Sequence, residues 1–168
     1  VTSIGLSAFE DCSSLTSIRL PPALNNVGQA AFYACTSLLA ITIPEGVANI
    51  GKAAFQACVA LTSITLPQTL PNISEYAFKF CFQLTDFIIP SSVTWIGEHA
   101  FYGCKKLSSI TIPEGVIEVK QYTFSRCDSL TAVHLPISIT TLADSAFEAC
   151  ASLASIAIPP FVTRFGQS

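Results

Sequence analysis

Seven cysteines recur at a fixed interval, and cysteine is the residue type in this chain with the widest chemistry. They stand 23 residues apart, at Cys12, Cys35, Cys58, Cys81, Cys104, Cys127 and Cys150. Zinc sites need clustered pairs such as C-x-x-C, and these cysteines are never that close. Seven is an odd number, so disulfides within the chain cannot use them all, and stacked side chains point in parallel rather than toward each other. We therefore predict a column of buried free thiols and no metal site.

The two histidines do not form a catalytic arrangement. His99 and His134 occupy different positions of the 23-residue unit, and neither has an acidic residue at its own position in the adjacent units. A Ser-His-Asp site needs such a carboxylate to orient the imidazole. The chain also lacks a glycine-rich phosphate loop and an H-E-x-x-H motif. The sequence therefore predicts a protein that is not an enzyme and holds no cofactor.

The composition disfavours several further classes of protein. Of the 168 residues, 51% are hydrophobic and 11% are charged, whereas charged residues make up about 25% of a typical soluble domain. This hydrophobicity excludes a disordered chain. No apolar run reaches the length of about 18 residues that a transmembrane helix needs. The net charge of −3, with 8 Lys and Arg residues, disfavours a nucleic-acid surface.

One repeated unit must position all of these residues. Written in rows of 23, the sequence needs no gap; rows 1 to 7 begin at residues 1, 24, 47, 70, 93, 116 and 139, and seven residues follow row 7. Phenylalanine fills one position from Phe9 to Phe147, leucine another from Leu15 to Leu153, and proline a third from Pro21 to Pro159. The unit reads I-G-x-x-A-F-x-x-C-x-x-L-x-x-I-x-L-P-x-x-L-x-x.

Two hydrophobic patterns lie inside each unit. The alternation in Ile18-Arg19-Leu20-Pro21 predicts a short strand that proline ends. In A-F-x-x-C-x-x-L the apolar residues fall at i, i+1, i+4 and i+7, which predicts a short helical turn. One unit cannot enclose a core, but stacked copies can. The strands would then form one parallel sheet with rows about 4.8 Å apart.

The pattern Leu15-x-x-Ile18-x-Leu20 resembles the core of leucine-rich repeats, and the following proline with the A-F-x-x-C segment resembles their BspA-like subclass. The resemblance covers the whole chain, although the buried Asn of other leucine-rich repeats is replaced by residues such as Ala23 and Gly46. It implies an α/β leucine-rich-repeat solenoid: a curved right-handed superhelix with one parallel sheet on its concave side and short helical turns on its convex side.

Residues 1–168 are predicted to form a single repeat array of about seven repeats. The chain begins inside the pattern and ends just before another Ala-Phe is due, and neither end resembles the polar cap of a solenoid. We therefore expect a piece of a longer array, whose uncapped ends allow self-association.

The resemblance also implies a function. It implies an extracellular or cell-surface protein used in adhesion and protein binding, with a protein partner such as an extracellular-matrix or host-surface protein. It implies neither a nucleic-acid ligand nor membrane insertion. The residues leave a second interpretation open, in which the chain is a purely structural repeat segment, a spacer or assembly component without a ligand of its own.

Aromatic residues outside the repeated core positions supply the candidate binding residues, which are Tyr76, Phe80, Phe82, Trp95, His99 and Tyr122. Tyr76, His99 and Tyr122 occupy one position in three successive rows, so stacking should place them about 5 Å apart in a ridge. Trp95 lies at the same edge of the unit, and Phe80 and Phe82 flank Cys81. These rings either shield the solenoid edge or form a contact patch for a protein, or a stacking platform for a glycan.

Overall fold

The structure, a computed structural model, describes residues 1–166 as a stack of parallel coils, one coil for each row. The strands of these residues are β1 (Ser3–Ile4), β2 (Asn26–Val27), β3 (Ala40–Thr42), β4 (Asn49–Ile50), β5 (Ser63–Thr65), β6 (Asn72–Ile73), β7 (Trp95–Ile96), β8 (Ser109–Thr111), β9 (Glu118–Val119), β10 (Ala132–His134), β11 (Thr141–Leu142) and β12 (Arg164–Phe165). Every strand pair is parallel, and paired residues are 23 apart in sequence, as in Ile41 with Ile64. The fold is therefore a β-solenoid whose coils are the sequence repeats.

The strands form two columns rather than the single sheet that the sequence predicts. The three-residue strands β3, β5, β8 and β10 lie at the I-x-L-P position, and we call this column the strand wall. The two-residue strands form a second column near the start of each coil. This second column escaped prediction because each of its strands has one buried apolar residue, which is too short a pattern to show alternation. Within residues 1–166 the strand wall is confirmed for rows 2, 3, 5 and 6; in row 2, Ile41 and Ile43 both point inward, 4% and 2% exposed, and Pro44 follows.

The predicted helical turns are not found: the described residues contain no helix, and therefore none that could cross a membrane. The A-F-x-x-C segments, each with the residue before it, are instead linked turns, which together we call the turn wall. Two residues in each of these segments have a left-handed backbone: Ser7 and Asp11, Ala30 and Ala34, Ala53 and Ala57, Tyr76 and Phe80, His99 and Gly103, Tyr122 and Arg126, and Ser145 and Ala149, with φ between +52° and +73°.

Hydrogen bonding between coils explains why the turn wall is not helical. The Phe78 N–H donates to the Ala100 carbonyl of the next coil at 2.8 Å, and the N–H groups two residues before and after Phe78 donate to the next coil in the same way. The intervening N–H groups of Ala77 and Lys79 donate to carbonyls three residues back. An α-helix directs its N–H groups to its own carbonyls four residues back. Alternating turns leave half of these groups free to join the coils.

The core lies between these walls and is organised around the phenylalanine column. Phe32, Phe55, Phe78, Phe101 and Phe124 are at most 1% exposed. Neighbouring rings in this column have centroids 5.1–5.7 Å apart and are nearly parallel. Dispersion between stacked rings therefore runs through successive repeats.

The strand wall is interrupted at row 4, where residues 86–88 do not form a strand. Row 4 carries Phe87 where row 3 has Ile64, and the Phe87 ring packs edge-on against Phe78 and Phe101 at 4.9 and 4.7 Å. A hollow of about 500 Å³ lies beside it, lined in part by Ile88 and Ile110. The break therefore coincides with the largest side chain at this position of the repeat.

Candidate functional site

The cysteine column is structural. Six cysteines donate an S–H hydrogen bond to the phenylalanine carbonyl of the preceding row, at 3.1–3.3 Å; these are Cys35, Cys58, Cys81, Cys104, Cys127 and Cys150. All seven thiols are free, and only Cys12 is exposed. Burial raises the pKa of Cys35 to about 11 and that of Cys58 to about 12. The predicted column of free thiols is confirmed, and its role is to tie each coil to the one before.

Metal ligands do not gather in the part of the chain that the structure describes. Residues 1–166 hold no group of three or more His, Cys, Asp and Glu side chains able to bind a metal ion. The two histidines lie on different walls, since His134 ends β10 and His99 lies on the turn wall. Among the described residues, the aromatic side chains therefore remain as the candidates for a binding site.

The aromatic ridge forms as the repeat spacing predicts. The ring centroids of Tyr76 and His99 are 5.0 Å apart, and those of His99 and Tyr122 are 4.9 Å apart. All three residues have a left-handed backbone, with φ of 56–59°. The same position carries Ser7, Ala30, Ala53 and Ser145 in other rows. The turn therefore does not require an aromatic residue, and the ridge is particular to rows 4 to 6.

His99 lies at the centre of this ridge and is half-buried. Its Nδ1 atom is buried and has no hydrogen-bond partner. Burial, followed by the positive charge of Lys79, lowers the pKa of His99 from its usual value. The lowered pKa favours the neutral form of the imidazole, which lies between two phenol rings.

Lys79 joins the ridge to a second group of rings. Its Nζ atom lies 5.1 Å from the ring centroid of Tyr76, 5.0 Å from that of Phe80 and 5.1 Å from that of Tyr102. Neither Lys79 nor Tyr102 was among the candidate residues from the sequence. The signal was present, because Lys79 and Tyr102 share one position in adjacent rows and therefore had to be neighbours.

Phe80 and Phe82 extend the site on the far side of Lys79. Their ring centroids are 5.8 Å apart, and Phe80 also packs edge-on against Tyr102 at 5.5 Å. A side chain in place of Gly103 would put its Cβ atom 3.0 Å from the Phe80 ring, so glycine makes room for that ring. Rows 4 to 6 thus carry one set of mutually packed, half-buried rings, which we call the aromatic cluster: Tyr76, Phe80, Phe82, His99, Tyr102 and Tyr122.

The structure does not bring Trp95 into this cluster. Trp95 lies on β7, where it pairs with Asn72, and its side chain is 39% exposed. Among the ring contacts of residues 1–166, none joins Trp95 to Tyr76, His99 or Tyr122. The two-residue strand separates it from the turn wall, and this strand was not visible in the sequence pattern.

The repeat sequence matches a family model along the whole chain. The model of the BspA type leucine rich repeat region matches residues 1–107 and 71–168, with six copies. The chain belongs to this family. No curated protein matches the sequence significantly.

Solved structures of bacterial leucine-rich repeat proteins resemble this BspA-type chain. A leucine-rich repeat protein of T. pallidum is 34% identical, with a TM-score of 0.88 over 92% of this chain and 72% of its own. One from Eubacterium ventriosum is 27% identical, with a TM-score of 0.78 over 88% of this chain and 39% of its own. A leucine rich cell surface protein from Faecalibacterium prausnitzii is 25% identical, with a TM-score of 0.57 over 98% of this chain and 66% of its own. The chain is therefore a leucine-rich repeat scaffold that spans only part of these relatives.

Proposed function

We propose that this BspA-type array is a protein-binding module and that the aromatic cluster on the turn wall is its contact site. The observation that carries the proposal is the concentration of six half-buried rings in rows 4 to 6, at positions where other rows have small or polar residues, apart from Tyr33 at the position of Tyr102. Aromatic residues dominate the energetically important centres of protein interfaces. The turn wall supplies a rigid base for them, because each of its coils is hydrogen-bonded to the next.

Location and role are part of the same proposal. The relative from Faecalibacterium prausnitzii is described as a cell surface protein, which supports an extracellular or cell-surface position for this chain. An adhesion role would bring the aromatic cluster against a protein of the extracellular matrix or of a host surface. The proposal assigns no catalytic step and no cofactor to the chain.

A second candidate function is a purely structural spacer without its own ligand. The observation that favours it is that the rings pack on one another and on Lys79, so that the cluster stabilises itself. The same packing disfavours the glycan platform, since a sugar stacks on an open ring face. The two functions differ in what happens when the rings are removed.

The test is binding of immobilised protein to a panel of purified extracellular-matrix proteins. The site variant is Tyr76→Ser with Tyr122→Ser, and the matched control is Tyr33→Ser, which removes a half-buried tyrosine from the turn wall of row 2. We expect the site variant to lose a matrix partner that the control retains, with both variants still folded in thermal melts. Full binding by the site variant would leave the spacer function as the better account.

A further inference from the structure

Four cations surround the aromatic cluster and form no ion pair with a carboxylate of residues 1–166. Lys79, Lys105, Lys106 and Arg126 all lie on the turn side of rows 4 to 6. Within residues 1–166, the ion pairs shorter than 4.0 Å use two other lysines, as described next, and none uses these four. Half of the 8 Lys and Arg residues of an acidic chain therefore gather around one site.

The flanking lysines are different. Lys52 pairs with Glu75 at 2.6 Å, and Lys120 pairs with Glu118 at 2.8 Å. These two lie on either side of the cluster, in rows 3 and 6. Their charges are already compensated, although Lys52 also lies 5.1 Å from the ring centroid of Tyr76, so the two lysines differ from the four unpaired cations in their carboxylate partners.

Aromatic rings hold three of the four cations in place. Lys79 lies over three rings, Lys105 lies 5.3 Å from the Phe82 centroid, and Arg126 lies 5.9 Å from the Tyr102 centroid. A ring attracts a cation without accepting most of its N–H donors. These cations therefore keep their charge and donors available for an anion while their positions are restricted, which lowers the entropic cost of binding.

In rows 4 to 6 the net charges on the two sides of the ridge have opposite signs, negative before the ridge position and positive after it. Glu75, Glu98 and Asp144 stand immediately before the ridge position in rows 4, 5 and 7. The unpaired cations lie on the other side, together with one carboxylate, Asp128, which shares the position of Lys105 one row on. A densely and uniformly anionic polymer would meet carboxylates on one side of the ridge, whereas a protein surface places its charges individually. The ring faces are also occupied by His99 and the cations, which leaves little stacking surface for a neutral sugar.

We propose that the aromatic cluster binds an acidic segment of a protein partner, whose carboxylates are received by Lys79, Lys105 and Arg126. This inference rests on the proposed protein-binding function and specifies the chemistry of the partner. Arg126 offers a planar fork suited to a carboxylate, and the lysines offer ammonium donors. The rings position these cations and exclude water from one side of them.

The experiment measures fluorescence anisotropy of a labelled Gly-Ser peptide carrying a Glu-Asp-Glu block, beside the same peptide carrying Gln-Asn-Gln. The site variant is Lys79→Gln with Arg126→Gln. The control is Arg19→Gln with Arg164→Gln, two exposed arginines outside rows 4 to 6, which changes the net charge by the same amount. We expect the acidic peptide alone to bind, and its Kd to rise about fivefold in the site variant and less than about twofold in the control. The single conservative variant Lys79→Arg should bind the acidic peptide with the Kd of the wild type, because it keeps both the charge and the ring contacts.

Three results would overturn the inference. The first is absence of acidic-peptide binding, and the second is an equal loss in the site and control variants. The third is binding of a heparin oligosaccharide, dependent on Lys79 and Arg126, without binding of the acidic peptide, which would make the site a receptor for an anionic glycan. If the tyrosine variant loses a matrix partner that the Lys79 and Arg126 variant keeps, the proposed function stands and this inference alone fails.

Discussion

The turn wall and the strand wall join the same coils in different ways. At each of the six junctions between rows 1 and 7, three N–H groups of the turn wall donate to the next coil at 2.8–3.3 Å. The strand wall forms strand pairs only between rows 2 and 3, through β3 and β5, and between rows 5 and 6, through β8 and β10. The segment with the helical sequence pattern is thus the more regular ladder, and the segment with the strand pattern is the interrupted one.

This difference shows at which positions the surface side chains of this repeat protein can vary from row to row. The turn wall obtains its regularity from backbone hydrogen bonds and from buried Phe and Cys residues, none of which involves the outward side chains. Its outward positions therefore accept Ser, Ala, Tyr or His without loss of the ladder. An aromatic cluster is compatible with this wall because the wall does not depend on the residues that form it.

The largest expected effect lies inside the turn wall. Phe55→Ala should lower the free energy of unfolding by about 3–5 kcal/mol, because it removes a fully buried ring and leaves a cavity in the stack. Gln56→Ala, at the adjacent outward position, should change it by less than about 0.5 kcal/mol. Urea unfolding measures both values. Similar losses in the two variants would contradict the assignment of inward and outward positions.

The cysteine column should show a smaller effect of the same kind. Cys81→Ala should lower the free energy of unfolding by about 1–2 kcal/mol, since it removes the S–H donor to the Phe55 carbonyl and leaves a small void. Cys12→Ala is the control, because Cys12 is exposed. If both variants melt at the wild-type temperature, the thiol hydrogen bonds do not join the coils.

Substitution of Ala57 by glycine should raise the free energy of unfolding if the segment forms linked turns, and should lower it if the segment is a helical turn. Ala57 has φ of 61°, so Ala57→Gly relieves left-handed strain and should raise the free energy of unfolding by about 0.5–1 kcal/mol. Gln56→Gly, without a left-handed backbone, should lower it by about 0.5–1 kcal/mol. A loss in both variants, measured by chemical denaturation, would restore the helical interpretation.

Much of this molecule was predictable because identical residues stack on one another. The 23-residue interval alone placed Phe55 over Phe32, put the free thiols in one buried column and set Tyr76 beside His99. Each of these follows from position in the row, with no knowledge of the local backbone.

The backbone inside a row was harder to predict. The left-handed positions carry Ala, Ser, Tyr, His, Phe, Asp and Arg, and only Gly103 is a residue that signals this conformation. Without that signal, apolar residues at i, i+1, i+4 and i+7 resemble one helical face. The repeat interval places Lys79 beside Tyr102, but its position over the rings of Tyr76 and Phe80 depends on how the turns direct their side chains.

The smallest expected effect is a pH dependence of stability at the ridge. Because burial lowers the pKa of His99, the unfolded chain binds a proton there before the folded chain does. Stability should therefore fall as the pH drops below the unfolded value of about 6.5. His99→Gln should reduce this dependence, whereas His134→Gln, on the strand wall, should keep it. Urea midpoints at about pH 7.5 and about pH 5.5 provide the comparison.

Residue-resolved amide hydrogen exchange tests the difference between the walls most directly. In the strand wall, the N–H groups of Ile43 and Ile112 donate to the next coil at 2.9 Å. Leu66 in row 3 and Ile89 in row 4 occupy the same position of the repeat, but their N–H groups have no acceptor within residues 1–166. We expect Leu66 and Ile89 to exchange much faster than Ile43, Ile112 and the turn-wall amide of Phe78. Protection of Leu66 and Ile89 equal to that of Phe78 would show that the strand wall is continuous and would contradict this account.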